Sequence, residues 1–323
     1  MKPIVLGSRG SPLALAQTRQ VMSDLKRAWP GRNFEIHVIR TEGDKLADSP
    51  DAGEVNLSKG LFTGELERAL LAGSIDIAVH SLKDLPTSSQ AGLMLAAVPK
   101  RGDARDVLIT RGPDLVPEQP QPDGWVTASG SLRRVVLGPE LRYGAILATG
   151  SPRRSAQLRL ARPDLVTAPV RGNIDTRLRK FRENQEWSGL VLAAAGLDRL
   201  KPDVTGLTLT KMAFSQMLPA PGQGALGIQT RTENSADVRT VVRAVHHPAT
   251  AAAVTAERMF LEALGGGCGE PIAAFAEVDA NNVLHLEGIA WLIGETTPRR
   301  GKLARRVDQA EVLGVDLAVE ISR

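Results

Sequence analysis

The 323-residue chain is 42% hydrophobic and 24% charged, an ordinary soluble composition at a length that suggests two or three domains. Its 40 Lys and Arg outnumber 36 Asp and Glu for a net charge of +4, a mild bias toward anionic partners, and 3% aromatics leave few platforms for stacking nucleic-acid bases. One cysteine excludes an internal disulfide and a multi-thiolate metal site; no apolar run approaches the ~20 residues of a membrane span, and MKPIVLGSRGSP breaks too soon for a signal peptide, so the expected compartment is the cytoplasm.

Residues 3–6 read as a short buried strand, followed by the turn GSRG and a helix opened by Ser11-Pro12, with Ser as N-cap and Pro at the first helical position. FEIHVIR (34–40) is a second strand, LFTGELERALL (61–71) a second helix, and IDIAV (75–79) a third strand that runs into His80-Ser81-Leu82-Lys83-Asp84. This alternation predicts a parallel sheet covered by helices.

The middle of the chain repeats the style. DVLIT (106–110) and residues 143–148 are strands around a proline-rich loop at 113–124, and Ser151-Pro152 opens a helix as Ser11-Pro12 does. Residues 166–170 lead into Arg171-Gly172-Asn173 and a helix over 174–181, and GLVLAA (189–194) is a further strand. PAPGQG (219–224) reads as a segment crossing back between domains. Beyond it, 250–264 is an amphipathic helix closed by Gly265, then two strands (272–278 and 283–293) and a last helix (308–322) make a small α+β domain.

Three strand-to-helix turns place Ser or Asn beside Arg: GSRGSP (7–12), GSPRRS (150–155) and RGNIDTR (171–177). A helix N-terminus offers free N–H groups and partial positive charge, and a guanidinium adds a bidentate fork, so together they suit carboxylates or phosphates. For any single arginine, a solvated surface position or an ion pair is the competing account. Neither a Walker loop nor a dinucleotide fingerprint is present, which lowers nucleotide binding. Asp84 beside Lys83 at a strand end can stay ionised and stabilise a cation or move a proton, with a surface Lys–Asp pair as the alternative. Adjacent His246 and His247 diverge and make a poor chelate, so no metal site is expected. Cys268, between Gly265-Gly266-Gly267 and Gly269, is either a small buried hydrophobe or an accessible sulfur with room for a large group beside it.

The chain resembles the porphobilinogen deaminase family in eight collinear motifs: GSRGSPLALAQ (7–17), SKGLFTGELE (58–67), DIAVHSLKDLP (76–86), ATGSPRRSAQL (148–158), VRGNIDTRL (170–178), LAAAGLDRL (192–200), LPAPGQGALGI (218–228) and GGGCGEPIAAFA (265–276). The resemblance implies a transferase of tetrapyrrole and heme biosynthesis that condenses four porphobilinogen molecules, with loss of ammonia, on a dipyrromethane primer held as a thioether on Cys268. It implies two periplasmic-binding-protein-like α/β domains, 1–100 with 222–243 and 101–221, and an α+β domain, 244–323. By position it makes Asp84 the catalytic carboxylate. Ser81, Lys83, Thr149, Ser151, Arg153, Arg154 and Arg171 become cofactor ligands, and Arg9, Ser11, Gln17, Arg177 and Arg199 substrate ligands. The expected partner is the small molecule porphobilinogen, with no nucleic acid and no membrane, and the expected state is a monomer.

Three departures stand out. Gly150 replaces a serine usual in the family, the chain ends somewhat early, and TASGSLRR (127–134) imitates the arginine motif inside a stretch of extra residues, with Arg133 and Arg134 as runner-up ligands. A second reading, a non-enzymatic clamshell protein for a polycarboxylate, calls for an export signal and gives the glycine-embedded cysteine no use.

Overall fold

The computed structural model describes residues 2–39, 63–111, 141–234, 236–266, 269–292 and 294–323. The first elements follow the expected alternation: β1 (Ile4–Arg9), α1 (Pro12–Ala28), β2 (Phe34–Ile39), α2 (Gly64–Leu71), β3 (Ile77–Ser81), a 3₁₀ turn over Leu82–Asp84, and β4 (Leu93–Ala97). Next come β5 (Asp106–Arg111), β6 (Ile146–Ala148), α3 (Pro152–Ala161), β7 (Val166–Ala168), α4 (Ile174–Glu183), β8 (Trp187–Ala193), α5 (Ala194–Leu200) and β9 (Leu207–Lys211). The chain then returns through β10 (Leu226–Arg231) and α6 (Ala236–Arg243).

These strands form two five-stranded sheets, β2-β1-β3-β10-β4 and β7-β6-β8-β5-β9. Each has three parallel strands and a fourth position filled antiparallel by a strand contributed after a crossing, β10 in the first sheet and β5 in the second. The all-parallel expectation is therefore corrected to mixed sheets. Strand β10 reads as strand only in its partner's context, since LGIQTR follows a glycine-rich crossing with no helix of its own before it. The architecture is a pair of α/β units, each built on one five-stranded mixed sheet.

The two crossing segments, 98–105 and 212–225, touch. Gly102 N donates to the Gly224 carbonyl at 3.1 Å, and a Cβ on Gly224, whose φ is +84°, would lie 2.7 Å from the Gly102 carbonyl oxygen. Only glycine permits both that conformation and that approach.

The third unit packs α7 (Pro248–Ala263) and α8 (Ala310–Ser322) on one face of an antiparallel sheet of β11 (Ile272–Val278), β12 (Val283–Ala290) and β13 (Arg299–Arg306). Phe260, Leu284, Leu313 and Leu317 are fully buried in its core. Strand β13 is absent from the sequence reading because RRGKLARR lacks apolar alternation. It is an edge strand whose cations pair with acids, Arg300 and Lys302 with Glu287 and Arg306 with Asp308, and charge on an edge blocks pairing with other chains. Strands β4 and β9, LMLAA and LTLTK, are also short edge strands that the sequence reading passes over.

Candidate active site

Three helices near the cleft between the two sheets begin as their sequences predict. Ser11 caps α1 by accepting from Ala14 N at 3.3 Å, Ser151 caps α3 by accepting from Arg154 N at 3.5 Å, and Asn173 caps α4 by accepting from Thr176 N at 2.9 Å. Proline follows the first two caps. Thr149, buried, accepts from Ser151 N at 3.2 Å and steadies the second turn.

On the first sheet, a small concavity at the ends of β1 and β3 is lined by Arg9, Ala14, Gln17, Thr63, Val79, His80, Ser81 and Asp84. Gln17 and Ser81 exchange hydrogen bonds at 2.8 and 3.1 Å, which ties α1 to the end of β3. The turn after β3 places Asp84 at the surface of this concavity and Lys83 half-buried beside it. His80 is buried, with Nε2 3.1 Å from Gln229 Oε1, while Gln229 donates to Glu67 at 3.1 Å. The Gln229 oxygen can only accept, so His80 carries its proton on Nε2. Burial pushes its pKa down to about 4; the Gln229 bond opposes this and nearby Arg9 adds to it, so the ring is neutral near pH 7.

On the second sheet the arginines are internal. Arg154 donates Nε and Nη2 to Asp106 Oδ1 at 3.1 and 2.7 Å and Nη1 to the Val191 carbonyl at 2.9 Å. Arg153 Nη1 lies 2.8 Å from Asp106 Oδ2 and donates to the Leu218 carbonyl at 2.6 Å. Asp106 is fully buried at the start of β5 and also accepts from Gln223 Nε2 at 2.9 Å. Burial alone would raise its pKa, but the two guanidinium groups outweigh that and hold the carboxyl well below the usual carboxylate range.

Charge gathers between the sheets. Withdrawal from water lowers the pKa of Lys83; Asp84 and Asp106 pull it up, Arg154 and Arg153 push it down, and the net effect is downward. Arg177 is lowered to about 10 by burial and by Arg154, against the pull of Asp84. Its one side-chain hydrogen bond among the described residues is from Nε to the Gly172 carbonyl at 2.7 Å. Four cations from two sheets thus share two carboxylates, and three of those cations, Lys83, Arg153 and Arg177, sit below their ordinary pKa. A multiply anionic ligand would relieve that excess.

The family comparisons agree with such a ligand. The family model described as "Porphobilinogen deaminase, dipyromethane cofactor binding domain" matches residues 4–239, and that described as "Porphobilinogen deaminase, C-terminal domain" matches 251–323. The chain belongs to the porphobilinogen deaminase family. Porphobilinogen deaminases of Thermus thermophilus and Syntrophus aciditrophicus are similar to it, at 40% identity over 99% of this chain and 96% of the relative, and at 44% over 97% and 93%. Among solved structures, the BenM effector-binding domain with benzoate is 13% identical, with a TM-score of 0.41 over 75% of this chain and 90% of that one.

In this porphobilinogen deaminase family member, Arg171 and Arg199 differ in how they are held. Arg171 is exposed, its carbonyl accepting from Lys180 at 3.3 Å. Arg199 donates Nε to Gln20 at 3.1 Å and Nη2 to the Gly224 carbonyl at 2.7 Å, so it links α5, α1 and the crossing segment. Cys268, and the second arginine motif with Arg133 and Arg134, lie outside the described residues. Sequence reading missed Asp106 and Gln223; the signal available for Asp106 was an acid opening an otherwise apolar buried strand, DVLIT, where an unpaired carboxylate would be costly. At Gly150 a Cβ would lie 2.7 Å from the Val170 carbonyl oxygen, so the backbone leaves no room for a side chain there without moving. Among the described residues no helix is long and apolar enough to cross a membrane, and no group of three or more His, Cys, Asp or Glu could hold a metal ion.

Proposed function

We propose that this chain carries out the family's reaction at the Asp84 turn, with the cations of the second sheet holding substrate and cofactor carboxylates. The chain is a transferase of tetrapyrrole biosynthesis, joining four porphobilinogen molecules head to tail with loss of ammonia and releasing hydroxymethylbilane by hydrolysis. The observation that carries the site assignment is the excess of cations around Asp84: each porphobilinogen brings an acetate and a propionate, and the depressed pKa values of Lys83 and Arg177 mark where such anions are wanted.

The family cofactor is dipyrromethane, itself a polycarboxylate, and the donor set fits it. Lys83, Ser151, Arg153, Arg154 and Arg171, with Ser81 and Thr149 beside them, would hold it, and Cys268 would anchor it. When bound, it supplies the free pyrrole α-carbon to which porphobilinogen is joined. Arg9, Ser11, Gln17, Arg177 and Arg199 are assigned to incoming substrate. Asp84, exposed to the cleft, faces the positive charge that develops on pyrrole nitrogen as ammonia departs from porphobilinogen, and it can accept the proton released on bond formation.

The same reading takes the units as 1–100 with 222–243, 101–221 and 244–323, and the protein as a cytoplasmic monomer. Support for the discontinuous first unit is β10 sitting between β3 and β4.

Intact mass spectrometry of the purified protein tests the assignment. An excess of two linked pyrrole units is expected on the parent and none on Cys268→Ser; an unmodified parent that still turns over porphobilinogen would overturn it.

A further inference from the structure

The turn that carries Asp84 makes few bonds of its own. Leu85 N reaches the Leu82 carbonyl at 3.3 Å, a long contact, and Leu82 N donates to the Ala225 carbonyl of the second crossing segment at 3.0 Å. The carbonyls of Leu82, Leu85, Pro86 and Thr87 instead converge on one guanidinium. Arg258 Nη1 donates to Leu82 and Leu85 at 3.3 and 2.9 Å, and Nη2 to Pro86 and Thr87 at 2.6 and 3.3 Å.

Arg258 comes from another unit of the molecule, on α7, ten residues before Cys268. The helix itself is firmly held. Its neighbouring Glu257 is fully buried, pairs with Arg101 at 2.6 and 3.0 Å, and accepts from Gly222 N at 2.7 Å and Ala276 N at 2.8 Å. A planar fork of fixed geometry on an anchored helix is suited to fixing a backbone, because the donors cannot rearrange independently. Asp84 lies between two of the bonded carbonyls, so its Cα is set by a side chain from another unit.

We propose that Arg258 is a positioning residue for Asp84, acting through the backbone of residues 82–87 and setting the catalytic turn in register with the helix that leads to Cys268. This rests on Asp84 being the reacting carboxylate. Displacement of a catalytic group by about 1 Å can cost about 10²-fold in rate, and a charge-assisted donor shared by four carbonyls is enough to hold that distance.

The test is a double-mutant cycle in kcat. Arg258→Met is expected to lower kcat about 10- to 100-fold with KM for porphobilinogen changed less than about threefold and the two-pyrrole mass retained. In an Asp84→Asn background the same substitution should cost less than about threefold, because a misplaced group that has already lost its charge has little left to lose. Arg258→Lys, whose ammonium can reach one or two of the four carbonyls, should fall between and serves as the test if Arg258→Met does not fold. Equal losses in both backgrounds, or wild-type kcat in Arg258→Met, would overturn the proposal. A wild-type chain that carries no pyrroles and makes no product fails the functional reading instead, and the control distinguishes the two.

Discussion

The turn after β3 and the turn after β6 each follow a parallel strand in one of two sheets of the same order, yet they solve opposite problems. At the first, the ionisable side chain is a carboxylate left exposed to the cleft, on a turn held by backbone contacts to a different unit. At the second, the ionisable side chains are guanidinium groups drawn inside and locked by Asp106, Val191 and Leu218. A group that must meet changing charge stays at the solvent boundary, where it can gain and lose protons. Groups that only present positive charge can be buried, provided a partner carboxylate offsets the desolvation. The two halves of one duplicated architecture therefore divide the labour into a reactive edge and a fixed cationic wall.

The largest expected effect lies at the reactive edge. Asp84→Ala should lower turnover about 10²- to 10⁴-fold while the thermal midpoint stays within a few degrees, because the side chain is exposed and its removal leaves no buried charge. Steady-state kinetics beside a melting curve checks both halves of that statement, and near-normal turnover would remove Asp84 from the reaction. Asp106→Asn should behave in the opposite way. It preserves shape but leaves two buried guanidinium groups without a counter-charge, a loss of about 3–5 kcal/mol that denaturant unfolding would read directly. Turnover should fall as well, since Arg153 and Arg154 would no longer be held. A stable, fully active Asp106→Asn would mean that the wall is not locked by this carboxylate.

How much of this division the residues announced depends on whether the interaction is local. The three capped helices were legible because a cap joins residues three apart, and Ser11, Ser151 and Asn173 each do what their spacing says. Asp84 and the arginine turns were legible because each stands at a strand end. Asp106 was not, because its partners lie 47 and 48 positions away and nothing in DVLIT names them. Arg258 was hidden for the same reason, its four acceptors being carbonyls, which have no sequence identity at all. Strand β13 escaped because its alternation is between half-buried and exposed positions, both bearing cations, on a solvated edge, so the usual apolar period is missing. The antiparallel β10 and β5 were obscured by topology, since strand exchange between sheets is decided by where the crossing segments meet.

Acid should reveal a second contrast between the same regions. His80, behind the reactive edge, has a folded pKa of about 4 against an ordinary value of 6.5. Below pH 6.5 the unfolded chain binds a proton that the folded chain refuses, so stability falls as pH drops from 6.5 toward 4, by up to about 3 kcal/mol from this group. Asp106 contributes in the same sense but lower, its stabilisation being present above the ordinary carboxylate pKa and lost beneath it. Urea midpoints measured from pH 7 to pH 4 should therefore decline in wild type and decline less in His80→Gln. Parallel curves for the two proteins would show that His80 is not held neutral by the fold.

The smallest expected effect tests the wall at Gly150. Gly150 precedes the Ser151 cap, and a Cβ there would meet the Val170 carbonyl oxygen at 2.7 Å, closer than an unstrained contact allows. The obstacle is backbone, so relief requires the 149–151 turn or the strand end at Val170 to move by a few tenths of an ångström. Val170 immediately precedes the Arg171 turn, and Thr149 N is bonded to the Ala168 carbonyl at 2.8 Å, so either movement would disturb a cation-bearing loop. Gly150→Ser should thus cost about 1–3 kcal/mol, the usual range for overpacking, and raise KM more than it lowers kcat. If the serine were instead neutral in stability and improved KM, the 149–151 turn would have to yield without cost, and the close approach to Val170 would not constrain the cation-bearing loops.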